Sequence, residues 1–149
     1  MEAPDEQVVK ALQSTLAELT DLALLGKQAH WNVVGPQFRS VHLELDEIVD
    51  LARDSLDRVA ERIATLGVAP DGRAETVANT SELPPFPSGF VPATEVVQRV
   101  TQSMDTVALR MKERIVAIGD DDPVSQDILI GITDEVEKAA WMLRSQLTM

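Results

Sequence analysis

His30 and His42 are the two histidines of this 149-residue chain, and His42 opens a series of acids at helical spacing. Asp46 follows four positions later, and Asp57 and Glu61 form a second pair with the same spacing. Imidazole nitrogen and carboxylate oxygen together suit iron, manganese or zinc. A set that leaves coordination positions open suits oxidation of iron(II). Cysteine is absent, which excludes thiolate metal sites, disulfides and cysteine nucleophiles.

Placed on one helix at about 100° per residue with His42 as origin, Asp46 falls at about 40°, Asp57 at about 60° and Glu61 at about 100°. The four share one polar stripe. The apolar stripe of the same segment centres at about −80° and faces a core. Asp46 and Asp57 are then about 16 Å apart along the axis, whereas metal ligands must come within about 2.0–2.6 Å of an ion. One copy therefore cannot close a site. An antiparallel second copy, in the register that sets Asp46 against Asp57, also sets His42 against Glu61. The same register sets Asp50 against Arg53, an independent match of opposite charge that a two-fold axis repeats. The turn before this helix returns His30 to its start, so each site would gather two imidazoles and three carboxylates. Spacing alone leaves a plainer reading open. In a chain with 25 acidic residues, pairs four apart commonly form a solvated helix face.

These residues need helices to hold them, and four segments show apolar residues at three-and-four spacing. The expected helices cover residues about 4–32, 37–66, 92–118 and 123–147. Their stripes are carried by Leu12, Leu16 and Leu19; by Leu45, Ile48, Val59 and Ile63; by Val96, Val100, Met104 and Met111; and by Leu129, Ile132, Val136 and Leu143. Gly67 and Gly119 close the second and third segments. Asp122-Pro123 opens the fourth with a cap residue and a proline at the first helical position. Residues 67–91 hold Pro70, Pro84, Pro85 and Pro87 and no sustained period, with a candidate short helix from Ala74 to Ser81. Short links within two hairpins and one long link between them give an all-α single domain, a ferritin-like four-helix bundle with one long crossover. No Glu-x-x-His motif occurs, so a core-facing di-metal site is not expected.

Composition agrees with this: 44% hydrophobic residues but only 3% aromatic favours helices packed on helices. The formal net charge of −12 repels DNA phosphates and anionic lipid and attracts cations. No apolar run reaches the roughly 20 residues a membrane span needs. The start, Met-Glu-Ala-Pro-Asp-Glu, lacks the basic and apolar regions of a signal peptide. A cytoplasmic location follows as the expectation, with nucleoid association left open.

The run Lys27-Gln28-Ala29-His30-Trp31-Asn32-Val33-Val34-Gly35, followed by Phe38, His42, Asp46, Asp57 and Glu61-Arg62, closely resembles the Dps family, the miniferritins. The resemblance extends over nearly the whole chain, to Asp120-Asp121-Asp122 and Trp141. It implies a hollow dodecameric shell built from two-fold dimers. It also implies ferroxidase activity, with hydrogen peroxide preferred to oxygen, and ferric mineral stored inside, which protects the cell from oxidative damage. His30, His42 and Asp46 would come from one subunit, and Asp57 and Glu61 from its neighbour. They would bind Fe2+ and Fe3+, with Mn2+ or Zn2+ as competitors. Asp121, Asp122 and Asp127 would line an iron-admitting pore, with helix capping as the competing role of Asp122. Trp31 would be a sacrificial electron donor, although packing at an interface is the favoured role.

DNA-binding members of that family carry lysine-rich tails. Here Glu2, Asp5 and Glu6 precede the first lysine, Lys10, and the chain closes on Leu147-Thr148-Met149. DNA binding through tails is therefore not expected. The alternative reading is a nucleoid-binding or scaffold protein whose metal chemistry is secondary or lost.

Overall fold

The structure, a computed structural model, describes residues 2–147. The expectation about the tail after the last helix rests on Thr148 and Met149, which lie outside the described residues. Helix α1 spans Glu6–Asn32 and helix α2 Phe38–Thr65. A short helix α3, Ala74–Thr80, sits within the crossover. Helix α4 spans Ala93–Ile118 and helix α5 Pro123–Arg144, which ends in one 3-10 turn at Ser145–Leu147. The fourth segment thus loses its α-helical geometry three residues earlier than its periodicity implies.

The helix ends have local causes. Asp5 caps α1 by accepting a hydrogen bond from the Gln7 amide at 2.8 Å. Asp122 caps α5 with Pro123 beside it, accepting from the Ser125 amide at 3.0 Å. Gly119 ends α4 at φ +51°, a conformation that glycine adopts without steric cost.

Each helix turns one apolar stripe inward. Leu12, Leu19, Leu45, Ile63, Met104, Met111, Leu129 and Leu143 are fully buried and form one continuous core. One charged residue lies among them. Glu18 is 2% exposed, and it accepts hydrogen bonds from Arg114 at 2.8 and 2.9 Å and from Arg110 at 2.9 Å. A buried carboxylate needs such partners, and this one ties α1 to α4.

A feature absent from the sequence reading is a two-residue parallel ladder. Strand β1, Val33–Val34, pairs with strand β2, Val91–Pro92. The ladder places the start of α4 beside the start of α2, so those helices run the same way and the crossover travels the length of the bundle. Polar contacts fasten the crossover to α1. The Gln13 amide bonds Asp71 in both directions, at 2.7 and 2.9 Å, and the Ser81 hydroxyl donates to Asp21 at 2.6 Å. Among the described residues, no helix is long and apolar enough to cross a membrane.

Candidate metal centre

The tight packing of the α1–α2 hairpin brings His30, from the last turn of α1, against His42, from the first turns of α2. Their rings stack with centroids 3.7 Å apart and planes 13° off parallel. His30 Nδ1 lies 2.7 Å from the His42 carbonyl oxygen, and His42 Nδ1 lies 2.7 Å from the His30 carbonyl oxygen. A carbonyl oxygen only accepts, so both Nδ1 atoms carry the proton. The tautomer of each neutral ring is thereby fixed, with the lone pair on Nε2. Phe38 stacks on the other face of His42 at 4.8 Å. His30 is 8% exposed, so its ring has little freedom to turn.

Asp46 lies one turn after His42, with its Oδ1 3.8 Å from His30 Nε2. The Lys27 ammonium also reaches this oxygen, at 2.6 Å. Hydrogen bonding from Lys27 holds the Asp46 carboxyl below the usual carboxylate range, against the opposing effect of desolvation. Sequence reasoning passed over Lys27. The signal was a lysine three residues before His30, on the same helix face.

Asp57 and Glu61 lie exposed on the later turns of α2, as do Asp50 and Arg53 near its middle. Among the described residues, no three histidine, aspartate or glutamate side chains converge on a point where one ion could sit. The stacked rings and the Lys27 contact explain why the first half of the set does not close by itself. The residues present still fit a metal such as iron. They offer two imidazole nitrogens with fixed tautomers and a carboxylate beside one of them, at the surface, where a second copy could add oxygens.

The three acids at the start of α5 separate into two kinds. The Asp122 carboxylate is committed to Arg62, at 3.0 and 3.2 Å, and to the amide and hydroxyl of Ser125. Asp121 and Asp127 are exposed. Trp31 is 64% exposed, with the Lys27 ammonium 5.9 Å from its ring centroid.

The model of the ferritin-like domain matches residues 9–149. A crystal structure of Dps92 from Deinococcus radiodurans superposes with a TM-score of 0.94 at 36% identity, over 96% of this chain and 87% of that one. The chain belongs to the Dps family of ferritin-like proteins. Dps from Microbacterium arborescens in its high iron form superposes on this Dps chain at TM-score 0.91 and 31% identity, over the whole of both chains. The fine tangled pili major subunit of Haemophilus ducreyi is 40% identical over 140 residues, which are 94% of this Dps chain and 74% of that protein.

Proposed function

We propose that this Dps chain oxidises iron(II) at centres shared between two subunits and stores the ferric product inside a dodecameric shell. The observation that carries the reading is the His30–His42 pair, whose Nδ1 atoms are spent on backbone carbonyls, with Asp46 beside the Nε2 of His30. In the antiparallel register of α2 on α2, Asp57 and Glu61 of the partner subunit complete each centre. The chemistry of the donor set supports iron: carboxylates and neutral imidazoles bind iron(II), and the anionic oxygens favour iron(III) more strongly, which eases electron loss. The iron-rich state of the Microbacterium relative supports the same cargo.

Hydrogen peroxide is the proposed oxidant. Each of two iron(II) ions gives one electron, the O–O bond breaks, and two protons complete two waters, so no hydroxyl radical is released. Mn2+ and Zn2+ compete for the same ligands. Asp121 and Asp127 form the free part of an iron-admitting acidic mouth. Asp122 serves mainly as the cap of α5 and as the partner of Arg62. The shell works in the cytoplasm, where iron(II) and peroxide meet.

The pilus name of the Haemophilus relative favours a second reading, a structural subunit without metal chemistry. The five-residue donor set weighs against it. The deciding experiment is stopped-flow absorbance after mixing anaerobic iron(II)-loaded protein with hydrogen peroxide, beside the variant Asp57→Asn/Glu61→Gln. The expected result is rapid formation of ferric species in the native protein and its loss in the still-assembled variant. Rates equal to protein-free iron in both would leave the structural reading standing.

A further inference from the structure

We propose that Arg110, anchored on the buried Glu18, forms a binding site for a small phosphate anion where α1 meets α4, and that the Glu82 carboxylate is its resident plug. Glu18 lies more than three turns before His30 on α1, so the site is separate from the candidate metal centre and independent of the iron reading.

The charges around Glu18 do not balance one to one. Arg114 donates to both carboxylate oxygens, from Nη1 to Oε2 at 2.8 Å and from Nη2 to Oε1 at 2.9 Å. A bidentate contact of this kind neutralises one carboxylate by itself. Arg110 brings a second guanidinium to the same group, held on Oε1 through Nη1 at 2.9 Å. Its charge is therefore surplus to Glu18, and a guanidinium stays protonated at any ordinary pH. Glu82, which follows α3 in the crossover, meets that surplus: its Oε2 accepts from Arg110 Nη2 at 2.6 Å. The contact uses one donor of a two-donor edge. Nη2 and Nε lie side by side on a guanidinium and match two oxygens of one anion. Among the described residues, no acceptor takes the Arg110 Nε proton. A tetrahedral phosphate can engage both donors where Glu82 engages one, and it carries up to two charges instead of one.

Exposure lets the plug leave. The Glu82 side chain is 71% exposed and that of Arg110 28%, and an ion pair so open to water is weak. The neighbours of Glu82 are fixed. The Ser81 hydroxyl donates to Asp21 at 2.6 Å, and Leu83 is buried in the core. Displacement therefore needs only a rotation of the Glu82 side chain, with the backbone on either side left in place. A nucleic acid offers the same phosphate chemistry on a polyanion. The −12 charge of each chain repels a polyanion far more than one small ion, so the ligand is free phosphate.

Phosphorus NMR of inorganic phosphate, titrated with the metal-free assembled protein, reads the site directly. Glu82→Gln removes the competing carboxylate and leaves Arg110 untouched. It should tighten saturable phosphate binding by about fivefold or more, as expected for loss of one exposed ion pair and one repelling charge. A gain of affinity cannot arise from damage to the fold, so this variant decides. Arg110→Gln should abolish the saturable binding, alone and combined with Glu82→Gln. Arg110→Lys, which keeps the charge but lacks the planar fork, should weaken it. Equal affinity in Glu82→Gln and the native sequence, or saturable binding that survives Arg110→Gln, would overturn the site. A short duplex that displaces phosphate from the Glu82→Gln protein at physiological salt would overturn the choice of free phosphate as its ligand.

Discussion

His30 and His42 each donate an Nδ1 proton to the other's backbone carbonyl oxygen, both across 2.7 Å. One pair of contacts performs two tasks. It joins the end of α1 to the start of α2, and it fixes the tautomer that turns each Nε2 outward. The metal chemistry proposed here and the local stability of the hairpin thus depend on the same two hydrogen bonds.

This linkage gives the first prediction. His42→Ala removes one of those hydrogen bonds and both ring stacks, and it leaves the His30 carbonyl without its partner. Stability should fall by about 1–3 kcal/mol in urea denaturation. Imidazole nitrogen chemical shifts in the metal-free native protein should show both rings protonated at Nδ1. A ring protonated at Nε2 would contradict the arrangement.

Asp122 gives a prediction in pH. Burial raises its carboxyl, but hydrogen bonds from the Ser125 hydroxyl and amide and from Arg62 outweigh that effect and hold it low. A carboxyl depressed in the folded state stabilises the fold above its unfolded value of about 3.9, and the contribution is lost as pH falls through the folded value. Asp122→Asn should cost about 1–2 kcal/mol at neutral pH, and its deficit against the native chain should shrink below about pH 4. A deficit that persists unchanged in acid would show that the charge is not what matters.

Asp121 and Asp127 should behave differently from Asp122. Exposed and away from the cap contacts, they can be neutralised with little change in stability. Asp121→Asn/Asp127→Asn should slow iron uptake into the shell, measured by absorbance under limiting iron(II). Uptake at the native rate would reject their role at a pore.

The two-fold register proposed above would make Asp50 and Arg53 a reciprocal pair. Arg53→Asp should weaken the dimer by about tenfold or more, because four acids would then face one another across the axis. Asp50→Arg in the same chain should restore it by exchanging the two charges. Sedimentation of the three proteins decides, and a double variant no tighter than the single one would refute the register.

Net charge sets the expectation for DNA. With −12 per chain, the shell should leave a duplex unretarded in a gel at about physiological salt. A clear shifted band would require a basic surface that this charge balance does not supply.

The sequence by itself determined the four helices, because burial of one helical face imposes a period that can be read directly from Leu12, Leu16, Leu19 and their counterparts in the other segments. It also determined the polar stripe of α2, since residues four apart must share a face. The cap at Asp122 was likewise local, as was the glycine stop at Gly119. Only the tertiary structure decided which partners the polar side chains take. Lys27 reaches Asp46 across 19 positions, Arg62 reaches Asp122 across 60, and Glu18 meets Arg114 across 96. No periodicity encodes those separations, because they follow from how the helices cross. The His30–His42 exchange is of the same kind: both histidines were visible in the sequence, but the carbonyl that each one finds exists only where α1 and α2 have packed.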